Sequence, residues 1–252
     1  MNSFRTDENN DEILLSSTQE QIMMEWEKPY MEASIDFLEP KGRVLEVGFG
    51  CGYSASQIMK YKPKSYTVIE CDPIVIEKAN IWRENYPDVK IHIVKGVWQE
   101  KLHILGSFDE IYFDDFPLDI SKESSQMEMA VSMKRLNIFV DLCIQNHTQI
   151  GSKICWYCNG NGQINLGSDS KPFIEKKQKD IEIHIPENCK YRNLKEQKCT
   201  IPLLTIIKEY SFDEAQRCAI EEIRRVMPIK DDGAIAWQVC PEVCALVDDS
   251  SK

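Results

Sequence analysis

Apolar positions fall into a regular alternation of two patterns along most of the chain. Arg43-Val-Leu-Glu-Val-Gly-Phe-Gly50 is an apolar run that ends in glycines, which predicts a buried strand followed by a tight turn. Ser54 to Met59 predicts a helix, Ser65-Tyr-Thr-Val-Ile-Glu70 a second strand, and Ile74 to Asn85 a second helix. Lys90 to Val94 and Phe108 to Phe113 predict a third and a fourth strand. Met127 to Cys143 predicts a long helix, and Ser152 to Tyr157 a fifth strand. Strands alternating with helices imply an α/β fold with a doubly wound, mostly parallel, Rossmann-like sheet.

The two ends of the chain break this rhythm. Residues 1–18 are polar and acidic and are expected to be a flexible N-terminus. From Thr18 to Leu38, the residues Ile22, Met23, Trp26, Tyr30, Ala33, Ile35 and Phe37 recur at mixed three- and four-residue steps. That spacing predicts a helical lid over 19–40, kinked or split at Pro29. Ile181 to Ile185 and Cys199 to Ile207 read as two late strands, expected as an antiparallel pair at the sheet edge. The resulting domain plan is a single domain over 19–210, with a cofactor-binding core at 41–160 and a substrate side with C-terminal strands at 161–210, followed by a C-terminal helix and tail at 211–252.

The glycine-rich turn carries the first chemical signal. Glu46-Val-Gly48-Phe49-Gly50-Cys-Gly52 lies between a predicted strand and a predicted helix, where glycines let a ligand approach the backbone. Glu70 ends the next strand, 20 residues after Gly50, where a carboxylate can accept ribose hydroxyls. The pair points to an adenosine cofactor. A dinucleotide loop would place its third glycine three residues after the second, but Tyr53 stands there, and Gly52 comes after only two. With the acidic Glu46 opening the loop, S-adenosyl-L-methionine is the better fit, and S-adenosyl-L-homocysteine would be its product. Gly96-Val97-Trp98, after the third strand, is placed to contact the adenine, and Cys71, beside Glu70, is a further expected cofactor contact.

Charge and cysteine content narrow the partners. The net charge is −11 over 252 residues, which disfavours a phosphate backbone as partner and favours a cationic small substrate. The ten cysteines are scattered, and no CxxC pairs with another, so neither zinc nor a disulfide framework is expected. No stretch of the sequence reaches bilayer-spanning length, so a cytoplasmic protein, monomer or homodimer, without membrane or nucleic-acid partner is expected.

Five segments together resemble the guanidinoacetate N-methyltransferases and the related protein-arginine N5-methyltransferases. They are Met23-Met-Glu-Trp26-Glu27-Lys-Pro29-Tyr30-Met31, Val44-Leu-Glu-Val-Gly-Phe-Gly50, Val68-Ile-Glu70-Cys71-Asp72, Lys95-Gly96-Val-Trp98 and Phe108-Asp-Glu-Ile-Tyr-Phe-Asp114-Asp-Phe-Pro117. Tyr157-Cys158-Asn159 and Thr200-Ile-Pro202-Leu-Leu-Thr205 extend the match, so that it covers roughly residues 20–208. The resemblance implies that Glu27 and Asp114 hold and deprotonate a guanidino group, that Met23 and Met31 line the cofactor, and that backbone N–H groups of Gly160 and Asn161 take a substrate carboxylate. It implies a guanidinoacetate-like small substrate, with a protein arginine side chain, or a catalytically silent cofactor- or partner-binding relative, as the alternatives. Ser121 to Met127 departs from the His-rich segment of the guanidinoacetate enzymes, and Gly160-Asn-Gly162 is closer to the arginine N5 pattern.

Overall fold

A computed structural model describes residues 2–116, 125–158, 164, 166, 173–190 and 198–209, the side chains of 125–131 excepted. All of them belong to one compact unit, Met1–Ser211.

The first 27 residues correct the sequence expectation. Instead of a flexible tail running into a helix, β1 (Ser3–Thr6), β2 (Glu12–Leu15) and β3 (Gln21–Met24) form a three-stranded antiparallel sheet. The polar residues that resemble disorder are turn residues. Asp7 Oδ1 accepts the N–H groups of Asn9 and Asp11 at 2.8 and 3.0 Å, and Ser16 Oγ accepts those of Thr18 and Glu20 at 3.2 and 3.0 Å. Such side-chain-to-backbone bonds close reverse turns locally. Between the turns, Ile13, Leu14 and Met24 are buried, with Ile185 and Cys189 packed against Ile13 and Met24.

Helix α1 (Lys28–Leu38) begins where a kink was expected. Pro29 lies in its first turn, where the missing N–H has no helical partner to lose. A 3-10 turn, Glu25–Glu27, joins it to β3.

The main sheet contains β4 (Arg43–Val47), β5 (Ser65–Glu70), β6 (Lys90–Lys95), β7 (Glu110–Phe113), β8 (Lys153–Trp156), β9 (Ile174–Glu182) and β10 (Lys198–Ile206). Their spatial order is β6-β5-β4-β7-β8-β10-β9. All neighbouring pairs from β6 to β8 are parallel, and β10 runs antiparallel to both β8 and β9. This is a doubly wound, mostly parallel, Rossmann-like topology with the expected antiparallel edge pair. Helices α2 (Tyr53–Lys60), α3 (Pro73–Trp82), α4 (Trp98–Lys101) and α5 (Ser125–Asn146) supply the connections.

Strand alternation divides the core in two. Val44, Tyr66, Val68, Tyr112 and Cys155 face one side, packed with α1 and α2 residues such as Ile35 and Ile58. Leu45, Val47, Ile69, Ile111 and Trp156 face the other, packed with Phe139 and Val140 of α5. Among the described residues, no helix is long and apolar enough to cross a membrane, no disulfide forms, and no cluster of His, Cys, Asp or Glu could hold a metal ion. The order in which strands are added reverses between β4 and β7: β4 leads outward through α2 to β5, whereas β7 leads the other way to β8. Ligands of open α/β sheets bind at the C-terminal ends of the two strands flanking such a switch point.

Candidate active site

The loop leaving β4 is shaped by its glycines. Gly48, Gly50 and Gly52 have φ of +83°, +52° and +83°, values that side-chain-bearing residues rarely adopt. A Cβ on Gly48 would sit 2.0 Å from the backbone oxygen of Asp114, so the loop and the end of β7 touch at the switch point. The Asp114 N–H completes that contact by donating to Val47 O at 2.9 Å. The Phe49 ring turns into the core, 5.3 Å from the Trp82 ring, while its N–H points back at Glu70.

Met23 of β3 lies on this loop. Its sulfur accepts the Cys51 N–H at 3.2 Å and sits 2.7 Å from where a Gly50 Cβ would be. Met31 is fully buried on α1, and Tyr112 of β7 donates its hydroxyl to the Met31 sulfur at 3.0 Å.

Carboxylates gather around the same crevice. Glu27 is buried, and its Oε1 accepts the Met24 N–H at 3.0 Å, which fixes the turn ahead of α1. Glu46 is fully buried and takes the hydroxyls of Ser54 and Tyr66, one on each oxygen. Burial pushes its carboxyl up to about 7, the two hydroxyls notwithstanding. Glu70 accepts three backbone N–H groups, from Cys71 (2.7 Å), Asp72 (2.9 Å) and Phe49 (2.9 Å). A carboxylate has about four lone-pair positions, so about one of Glu70 is left for a ligand. Desolvation, and then the neighbouring Glu27 carboxylate, hold Asp114 well above the ordinary carboxylate range, and Glu46, Asp115 and Glu70 push the same way. Among the described residues no Lys or Arg forms a salt bridge with Glu46, Glu70 or Asp114.

After β6, Gly96 (φ +135°) donates its N–H to Glu70 O at 2.9 Å and leads through the partly buried Val97 into α4. Trp98 is 3% exposed, its ring packed on Phe113 and Phe139 and its indole N–H donated to Asp115 Oδ2 at 2.9 Å. Its side chain is thus a core element with one polar tie. Cys71 is partly buried beside Glu70. Gly160 and Asn161 lie outside the described residues.

Residues 3–151 match the guanidinoacetate N-methyltransferase family. The chain belongs to that family. Related proteins include protein arginine N-methyltransferase 2 of Candida glabrata, 32% identical over 118 residues, covering 42% of this chain and 28% of that protein. The same enzyme of Emericella nidulans is 38% identical over 111 residues, covering 41% of this chain and 25% of that protein. That of Saccharomyces cerevisiae is 28% identical over 124 residues, covering 46% of this chain and 29% of that protein. The chain therefore spans between a quarter and three tenths of the length of these relatives. Among solved structures, the 23S rRNA methyltransferase ErmE superposes with a TM-score of 0.53 at 14% identity, covering 79% of this chain and 77% of that one. TrmN from Thermus thermophilus gives 0.50 at 10% identity, covering 74% and 50%. Both likenesses concern the fold.

The cofactor of this family member is S-adenosyl-L-methionine, and the crevice fits it. The carboxylates that gather around the glycine loop suit a ligand carrying a sulfonium and an ammonium group. Family membership also makes sense of the Trp-Glu-Lys-Pro-Tyr-Met segment as a built element. Glu27 closes the turn, Pro29 starts α1, Tyr30 donates to Thr200 O at 3.0 Å and accepts the Cys158 N–H at 3.1 Å, and Met31 seats Tyr112. Ser54, Tyr66, Tyr112 and Arg135 escaped the sequence reading. Tyr66 left one signal, a polar aromatic inside an aliphatic strand beside the strand that carries Glu46.

Proposed function

We propose that this protein transfers the methyl group of S-adenosyl-L-methionine to a guanidino nitrogen held between Glu27 and Asp114. The observation that carries this reading is the pair itself: two desolvated carboxylates, from elements 87 positions apart in sequence, within electrostatic reach of one another at the switch point. A planar guanidinium with five donors and no acceptor is the complementary cation. When bound, the cofactor would supply an electrophilic methyl group on its sulfonium, leaving as S-adenosyl-L-homocysteine once the S–C bond breaks.

Glu27 and Asp114 orient the guanidinium through charge-assisted hydrogen bonds. A positive charge between them lowers the pKa of Asp114 from its raised value in the free protein, so binding favours its ionised form. Asp114 then accepts the proton that the nitrogen gives up as the N–C bond forms. Gly48, Gly50, Gly52 and one free position on Glu70 would hold the cofactor, with Met23, Cys71, Gly96 and Val97 around it, while the buried Glu46, Met31 and Trp98 would support the segments that carry them.

A small guanidino acid such as guanidinoacetate is the first acceptor to test, with Gly160 and Asn161 as the carboxylate contacts. Peptidyl arginine is the second, because the matched relatives are named as protein arginine N-methyltransferases. Transfer of labelled methyl to guanidinoacetate, free arginine and arginine-bearing proteins separates the two. Asp114→Asn keeps the shape and removes the base, so single-turnover transfer should fall about 10²–10⁴-fold with cofactor affinity little changed. A rate within about threefold of wild type would remove Asp114 from the chemistry.

A further inference from the structure

Asp114 is followed by a second carboxylate, and the structure treats the two differently. Asp115 Oδ2 accepts the Trp98 indole N–H at 2.9 Å and Nε of Arg135 at 2.9 Å, and Nη2 of Arg135 reaches the same oxygen. The Asp115 side chain is 13% exposed and that of Arg135 29%, so the pair is shielded from bulk water. Arg135 and Phe139 lie one turn apart on α5, and the Phe139 ring sits 5.3 Å from Trp98 and 4.3 Å from Phe113. Helix α5 therefore grips Trp98 twice, through its ring by Phe139 and through its N–H by way of Asp115. The start of α4, the exit of β7 and α5 converge on one carboxylate.

We propose that Arg135 is a positioning residue for methyl transfer: by pinning and neutralising Asp115 it fixes the chain leaving β7 so that Asp114, and not Asp115, faces the guanidino group opposite Glu27. This rests on the reading of Asp114 as the guanidino-holding base. Asp114 is already faced by Glu27 from the 3-10 turn, Glu46 from β4, Glu70 from β5 and Asp115 beside it. Each disfavours its ionised form, and Arg135 offsets the nearest in sequence. Without Arg135, Asp115 would keep, among the described residues, the Trp98 indole N–H, and its shielded negative charge would add to the repulsion on Asp114. A lysine at 135 would keep the charge and lose the fork that holds the carboxylate in place.

The test follows the Asp114 carboxyl by ¹³C NMR in protein labelled at aspartate, with Asp114→Asn assigning the signal, alongside turnover and S-adenosylhomocysteine binding. Arg135→Met should raise the Asp114 midpoint by about half a pH unit or more. It should lower kcat about tenfold with S-adenosylhomocysteine affinity within about twofold. Adding Asp115→Asn to Arg135→Met removes the stranded charge and should return the midpoint toward wild type, which a loss of packing would not do. Arg135→Lys should keep the wild-type midpoint yet turn over more slowly. An unmoved midpoint in Arg135→Met, or no recovery in the double variant, overturns the proposal. Should Arg135→Met fail to fold, Arg135→Lys decides: wild-type turnover overturns the proposal, and slower turnover at an unchanged midpoint supports it. If the wild-type protein methylates no guanidino compound, the functional reading fails, while the titration still tests what Arg135 does to Asp114.

Discussion

At the scale of single residues, two buried acids bear on the stability of the fold. Glu46 has no exposure, and its carboxyl is displaced from 4.5 to about 7. Because the folded state holds this proton more tightly than the unfolded state, the associated stability is fully present below about pH 4.5 and is lost as pH rises through about 7. That displacement corresponds to about 3 kcal/mol. Glu46→Gln carries no titrating proton, so the stability of wild type relative to the variant should fall by about that amount between those pH values. Urea unfolding of both proteins at several pH values reads it, and parallel curves would mean that the Glu46 carboxyl titrates normally. Glu70 contributes differently, because its three backbone bonds tie the glycine loop to the turn after β5. Glu70→Ala should therefore cost about 2–3 kcal/mol of stability besides weakening cofactor binding, since hydrogen bonds to a charged acceptor are among the stronger ones. Thermal melts without ligand separate that cost from the binding defect. The glycines were legible in the sequence because a positive φ leaves few other residues to choose. The hydroxyls on Glu46 were not, because Ser54 and Tyr66 meet it only after β4, β5 and α2 have packed.

At the scale of elements, β4, β5, β7 and β8 were legible as short, largely apolar and mostly buried runs, and β6 by the alternation of Ile91 and Ile93 with His92. Strand β9 began seven residues before its expected start at Ile181. Its Lys176, Lys177 and Lys179 suit an exposed edge strand, where charge discourages pairing with another chain, and they carry no apolar signal. The N-terminal sheet was missed for a related reason: its strands are four residues each, and turn-forming Asp, Asn and Ser have the same composition as a disordered tail. Tertiary ties keep the short strands in place. Glu12 of β2 takes the Tyr53 hydroxyl at 3.2 Å and pairs with Lys78, and Gln21 bonds to Asn188 O and the Lys190 N–H at 2.8 and 2.7 Å. Helix α1 is held to the main sheet through Tyr30, whose ring is 1% exposed and whose hydroxyl bridges Thr200 O and the Cys158 N–H. Tyr30→Phe keeps the ring and leaves both backbone groups without that partner, so it should cost about 1–3 kcal/mol. Denaturant midpoints at constant slope would show it, and an unchanged midpoint would mean that the bridge contributes nothing net.

At the scale of the whole molecule, the fold separates two tasks. One edge of the main sheet, β4 to β6, carries the glycine loop and Glu70, while the strands beyond the switch point carry Asp114 and, through β8 and β10, the anchor for α1 and Glu27. All seven strands of the main sheet, its two core clusters and every described candidate residue lie within Met1–Ser211. A chain ending at Ser211 is therefore expected to fold cooperatively and to bind S-adenosylhomocysteine as the full chain does. Ligand that binds only the folded state adds about 2.7 kcal/mol at a hundredfold excess over Kd, so the same rise in melting temperature should appear in both proteins. Methyl transfer by the shortened chain then asks a separate question. Equal single-turnover rates would place the whole chemical apparatus in 1–211. A shortened protein that melts and binds normally but transfers no methyl group would show that residues 212–252 complete the acceptor site, and a shortened protein that does not fold would show that they complete the core.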